Sequence, residues 1–286
     1  MDIIVRYSSQ LQLRSDLIPP VLEFFVGSMG IQSNEARVQL RSWYLFERYL
    51  VKVQRNIAPM SDQILVAFTD LLQIRITTSS NPPIQAPDSD SDNESEHDVF
   101  FDSQLYLFQA AGLLIALMDA TKLEVAEALL QSLTANISEK TRLATSDQTL
   151  VVNIHHTIMA IGDIAKGYDG ADDGSTMARQ SVGNRLFAPA SEVILEALAN
   201  FEDSSLIRDA VTPPYSFLEI IRILILLDSI RVCAPRQCYG REYTRKNPSL
   251  DRWLIAEKHD LGTDRLSSFS RSIDPQVQGT KLQWSS

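Results

Sequence analysis

Apolar residues recur three or four positions apart along most of the chain, and no run alternates as a half-buried strand would. The pattern predicts helices over about 18–28, 34–55, 61–75, 99–118, 121–141, 147–167, 186–202 and 213–230. Pro19-Pro20 and Pro213-Pro214 fall at first-turn positions, where a missing N–H costs nothing. Ser33 and Ser61 each stand just ahead of an apolar run and are expected to act as N-caps. Polar, turn-rich stretches at 76–97 and 168–184 interrupt the series. Alternate helices start near 18, 61, 121 and 186. With the two polar stretches removed, their spacing is about 43, 38 and 48 residues, close to the pitch of HEAT or armadillo helix pairs. The fold expected is all-α: a helical-repeat solenoid in which no pair buries its apolar face without its neighbours. Its parts are helical repeats at 1–75 and 99–230, a disordered acidic loop at 76–98 and an irregular tail at 231–286.

One helix stands out. In "LRSWYLFERYLVKVQRN" (40–56) and the residues just before it, Arg37, Arg41, Arg48, Lys52 and Arg55 share an arc of about 60°. Leu40, Trp43, Leu45, Phe46, Tyr49, Leu50, Val51 and Val53 fill the rest. Glu47 lies well off the arc, so pairs along the helix do not neutralise it. Such a wide apolar surface places the helix in a packed layer with one narrow charged edge. That edge is either an ordinary solvated face or a binding surface. In a solenoid the second helices of successive pairs line the concave side, and a row of cations there suits phosphates.

Charge changes the picture in a second way. The 286-residue chain carries a net charge of −10, which argues against nucleic acid until the charges are mapped. Six of the eleven residues 88–98 are acidic, and residues 231–286 hold 10 Lys and Arg against 6 Asp and Glu. Local basic surfaces therefore survive. Within the acidic stretch "SDSDNESEHD", Ser89, Ser91 and Ser95 each have an acid three positions on, a pattern suited to acidophilic kinases. The plainer reading is a solvated spacer that cannot bury enough surface to order itself.

Little else carries chemistry. His155 and His156 are neighbours on a helix, point about 100° apart and cannot share a metal. Cys233 and Cys238 have no second pair, so neither a zinc site nor a disulfide framework is expected, and a reducing compartment is. "DGADDG" (169–174) lacks the oxygen ligands of a calcium loop at Ala171 and Gln180. No phosphate-binding glycine loop or nucleophile elbow is present, so no enzyme and no cofactor is expected. No run of about 18 consecutive apolar residues argues for a membrane span. "MDIIVRYSSQ" has no apolar core of a signal peptide and reads as the interior of a larger architecture.

Four stretches, in order, carry a resemblance: "RSWYLFERYLVKV" (41–53), "FDSQLYLFQAAGLLIAL" (101–117), "VNIHHTIMAIGDIAKGY" (152–168) and the weaker "FAPASEVILEALANFEDSSLIRDA" (187–210). Together they resemble the exportin-T family, tRNA export receptors of the importin-β superfamily, over about residues 20–210. The resemblance implies a HEAT-repeat superhelix that wraps mature tRNA together with Ran-GTP. It further implies passage through nuclear pores by contact with pore components, shuttling between nucleus and cytoplasm, and no membrane insertion. Two departures are expected. The repeats with which the family chiefly contacts Ran lie N-terminal to the region matched. Past about Arg208 the helical pattern fades, and apolar content in 231–286 drops below the chain's 44%. The abrupt fall favours a reading frame that leaves the family there, through a splice or gene-model error, over a natural tail. A protein–protein scaffold of helical repeats with no RNA partner is the alternative function.

Overall fold

The computed structural model describes residues 1–74, 96–143, 147–171, 176–201 and 204–211. All belong to one unit, Met1–Pro235. The expected helix at 213–230, the serines 89, 91 and 95, both cysteines and the tail at 231–286 lie outside the described residues.

Ten α-helices, and no strand, form among the described residues. Two short ones open the chain, α1 (Asp2–Arg6) and α2 (Ser8–Leu11). Then follow α3 (Ile18–Val26), α4 (Ala36–Ile57), α5 (Ser61–Phe68), α6 (Glu96–Leu117), α7 (Glu124–Leu143), α8 (Gln148–Asp169), α9 (Thr176–Asn200) and α10 (Ser205–Val211). Proline at the first turn of α3 matches the sequence expectation. The caps do not. Ser61 is the first residue of α5 and its hydroxyl donates backwards to the Ala58 carbonyl at 3.0 Å. Glu35, not Ser33, is the residue before α4, and the Ser33 hydroxyl accepts from the Glu35 N–H at 3.2 Å. A side-chain cap expected nowhere is found at Asp147, which accepts from the Thr149 N–H at 2.9 Å and starts α8.

Helix extents differ in two places. α5 gives way at Phe68 to a 3₁₀ turn over Thr69–Leu72, where the α6 side chain Gln104 donates to the Leu71 and Gln73 carbonyls at 2.7 and 3.1 Å. That bond caps carbonyls a longer helix would have used itself. α9 starts at Thr176, about ten residues before the expected start, so much of the stretch 168–184 is helix rather than insertion. Pro189 sits inside it. Buried Leu186, Phe187, Ala190, Ile194 and Ala197 hold this helix in place despite the lost backbone bond.

The helices pack in pairs and in two layers, as a helical-repeat solenoid does. In one layer α4, α6 and α8 lie side by side, with α10 beyond α8. In the other, α3, α5, α7 and α9 follow one another. Aromatic side chains join the first two pairs: Phe25 of α3 stacks on Tyr49 of α4 at 5.0 Å, and Phe46 of α4 meets Phe68 of α5 edge-on at 5.5 Å. Trp43 is buried and its indole N–H donates to the Ile31 carbonyl at 3.0 Å. Each such side chain removes enough apolar surface from water to contribute roughly 2–3 kcal/mol.

α6 is the centre of this arrangement. By length and composition the segment Phe100–Leu117 would suffice to cross a membrane, although Gln109 interrupts it, but it is mostly buried by its neighbours. Its apolar circumference belongs to a helix covered on several sides. The crossing with α8 is a backbone contact. A Cβ at Gly112 would lie 1.9 Å from the Ile164 carbonyl oxygen, and one at Gly167 would lie 1.9 Å from that of Gln109. Both neighbours are backbone atoms and cannot rotate away. Gly112→Ala is therefore expected to destabilise the chain by about 2–3 kcal/mol or more by forcing the helices apart. Thermal unfolding followed by circular dichroism checks this, and an unchanged midpoint would contradict the close crossing.

Candidate nucleic-acid interface

α4 is clamped on several sides. α3 and α5 take its aromatic face, α6 takes the next, and α1 and α2 lie along it. Trp43, Leu45, Phe46, Tyr49, Leu50, Val53 and Ile57 are buried. What remains is one edge. Arg37, Arg41, Arg48, Lys52 and Arg55 are all exposed on it, as the helical arithmetic predicts, in a row of about 27 Å. Val51, placed by sequence with the apolar set, is 39% exposed because it falls only about 40° from Arg37 and Arg55.

Two features of this edge escape a reading of α4 alone. The first is an acid from another helix: Asp2 of α1 accepts from Arg41 at 3.1 Å, with both side chains mostly exposed. An exposed pair of this kind contributes at most about 1 kcal/mol and exchanges readily. The second is aromatic. Tyr44, half-buried, lies 5.0 Å from the Arg41 guanidinium and 6.0 Å from that of Arg48. Tyr106 of α6 meets it edge-to-face at 5.1 Å. Tyr44 was legible in principle, three residues after Arg41 and four before Arg48. Asp2 and Tyr106 come from other elements, and no local signal points to them.

The acids near α4's other side are buried. Glu47 is 7% exposed, and burial pushes its carboxyl up against the opposing pull of Arg48 and Lys166. On α8, burial raises Asp163 from 3.8 to about 6, although the Lys166 ammonium lies 3.9 Å away and favours the charged form. Neither carboxylate forms an ion pair with the row, although Glu47 feels the charge of Arg48 from its buried position. Among the described residues, no group of three or more His, Cys, Asp or Glu is placed to hold a metal ion. His156 is buried and stacked flat on Phe101 at 3.7 Å, and His155 lies at 5.5 Å from it, a packing role for both rings.

Comparison with known proteins decides the family. The exportin-T family model matches residues 1–228, beyond the 20–210 that the sequence blocks suggested at both ends. The chain belongs to the exportin-T family. The exportin-T of Podospora anserina is 34% identical over 227 residues, 76% of this chain and 22% of its own length. That of Phaeosphaeria nodorum is 33% identical over 232 residues, 78% and 22% respectively. With the exportin-T of Aspergillus clavatus the alignment runs over 290 residues at 29% identity, covering 98% of this chain and continuing past residue 228. The chain thus spans about a quarter of the length of these curated exportin-T relatives.

The buried acids give this exportin-T segment a definite response to pH. A carboxyl raised on folding binds its proton more tightly in the folded state. The contribution of Asp163 to stability therefore falls as pH rises from about 4 to about 6, and stays lower above. Glu47 adds to the same slope. Asp163→Asn is expected to stabilise the chain by about 1–3 kcal/mol near neutral pH, with the difference closing below about pH 4. Unfolding midpoints at the two pH values check this. A variant less stable than the parent at neutral pH would mean that the Lys166 pair outweighs desolvation.

Proposed function

We propose that this chain is part of a tRNA export receptor and that the exposed edge of α4 contacts the phosphate backbone of the tRNA. Membership of the exportin-T family supports the receptor role. The observation that carries the site is the row itself: five exposed cations on one edge of a packed helix, with the helix's own acid buried elsewhere. Arg37, Arg41, Arg48, Lys52 and Arg55 neutralise phosphates and select by the shape of the backbone rather than by base sequence. The receptor carries tRNA from nucleus to cytoplasm with Ran-GTP and shuttles through the nuclear pore by contact with pore components. Its work is binding and release, not catalysis. Ser89, Ser91 and Ser95 are phosphorylation sites in this reading, adding charge to an already acidic stretch.

The test is tRNA binding by the full chain over a salt series, with and without Ran-GTP. If all five cations meet phosphates, log affinity falls linearly with log salt, with a slope of about −3 to −5. Arg41, Arg48 and Lys52 changed together to Glu are expected to abolish binding while helicity is kept. Unchanged affinity removes the row from the mechanism. A folded chain that ignores tRNA and instead binds a protein partner without steep salt dependence supports the scaffold reading. Asp2→Asn, by releasing Arg41, is expected to raise tRNA affinity roughly two- to fivefold at low salt. A loss of affinity would show that Asp2 positions Arg41 instead of competing for it.

A further inference from the structure

Phosphate neutralisation does not account for the tyrosines on this edge. Tyr106 is 37% exposed, although the residues that follow it on α6, Leu107 and Phe108, are fully covered. Its ring is held at a fixed angle, 76° to that of Tyr44, with centroids 5.1 Å apart. Tyr44 is in turn flanked by the Arg41 and Arg48 guanidiniums. The result is a partly exposed surface of two packed tyrosines, with two cations beside Tyr44. A regular duplex has no use for that surface, because its base faces are stacked on one another. A single-stranded nucleotide uses both parts at once, the ring for its base and the cations for its phosphates.

We propose that Tyr106, braced by Tyr44, stacks an unpaired nucleobase of the bound RNA while Arg41 and Arg48 hold the adjacent phosphates. The proposal rests on the tRNA-binding reading above and adds to it a subsite for an unpaired nucleotide. Stacking is tolerant of base identity, so the subsite senses whether a base is free rather than which base it is. Arg41 exchanges its contact with Asp2 for a phosphate when RNA arrives.

The experiment uses the full chain and two RNAs, a mature tRNA with unpaired ends and loops and a blunt RNA duplex of similar charge. Tyr106→Ala is expected to weaken tRNA binding about tenfold, with the salt slope and the duplex affinity unchanged. Tyr106→Trp is expected to restore tRNA binding, which separates stacking from any effect on folding. Circular dichroism confirms that both variants keep the parent's helicity. Unchanged tRNA affinity in Tyr106→Ala, or an equal loss on duplex and tRNA, overturns the stacking subsite while leaving the phosphate row standing. Failure of the parent itself to bind either RNA overturns the tRNA reading, and is seen without any variant.

Discussion

The packing of α6 against α8, backbone on backbone at Gly112 and Gly167, is the constraint from which the candidate interface follows. It sets the spacing of one layer of the solenoid, and α4 has to fit against the opposite side of α6. α3 and α5 claim the aromatic side of α4, and α1 and α2 lie along it. With so much of its circumference covered, α4 can carry charge on one edge only. The five cations occupy that edge because charge left anywhere else on the helix would be buried at a cost of several kcal/mol.

The same geometry explains how an acidic chain keeps a basic surface. Glu47, the acid α4 itself carries inside the row's span, is turned inward, where burial raises its carboxyl. Asp163 is likewise withdrawn beside Lys166. Asp2 does reach the row, but through an exposed contact that a phosphate displaces easily. A net charge of −10 therefore says little about this edge, since exposed charges more than about 10 Å away are screened.

Helix order and pairing were legible in the sequence because apolar side chains at i, i+3 and i+4 mark a covered face whatever covers it. Boundaries were less so. Gly183 and Pro189 weaken the helical signal of α9, and the burial of Leu186, Phe187, Ala190, Ile194 and Ala197 in the packed structure makes up for it. Ser61 has the composition of a cap but bonds backwards, a choice set by the Ala58 turn. The exposed cations of α4 followed from its period alone. The acid that pairs with Arg41 and the ring that braces Tyr44 did not, because Asp2 and Tyr106 are brought in by tertiary packing. Nor does any sequence pattern announce that Gly112 and Gly167 face each other's helix.

The most direct test places a photoreactive side chain at Val51, which is exposed at the rim of the row and leaves all five cations intact. A second probe goes at Gln131, exposed on α7 in the other layer. Irradiated with bound tRNA, the Val51 probe is expected to crosslink and the Gln131 probe is not. Crosslinking from Gln131 alone, with tRNA bound, would contradict the assignment of the RNA surface to α4.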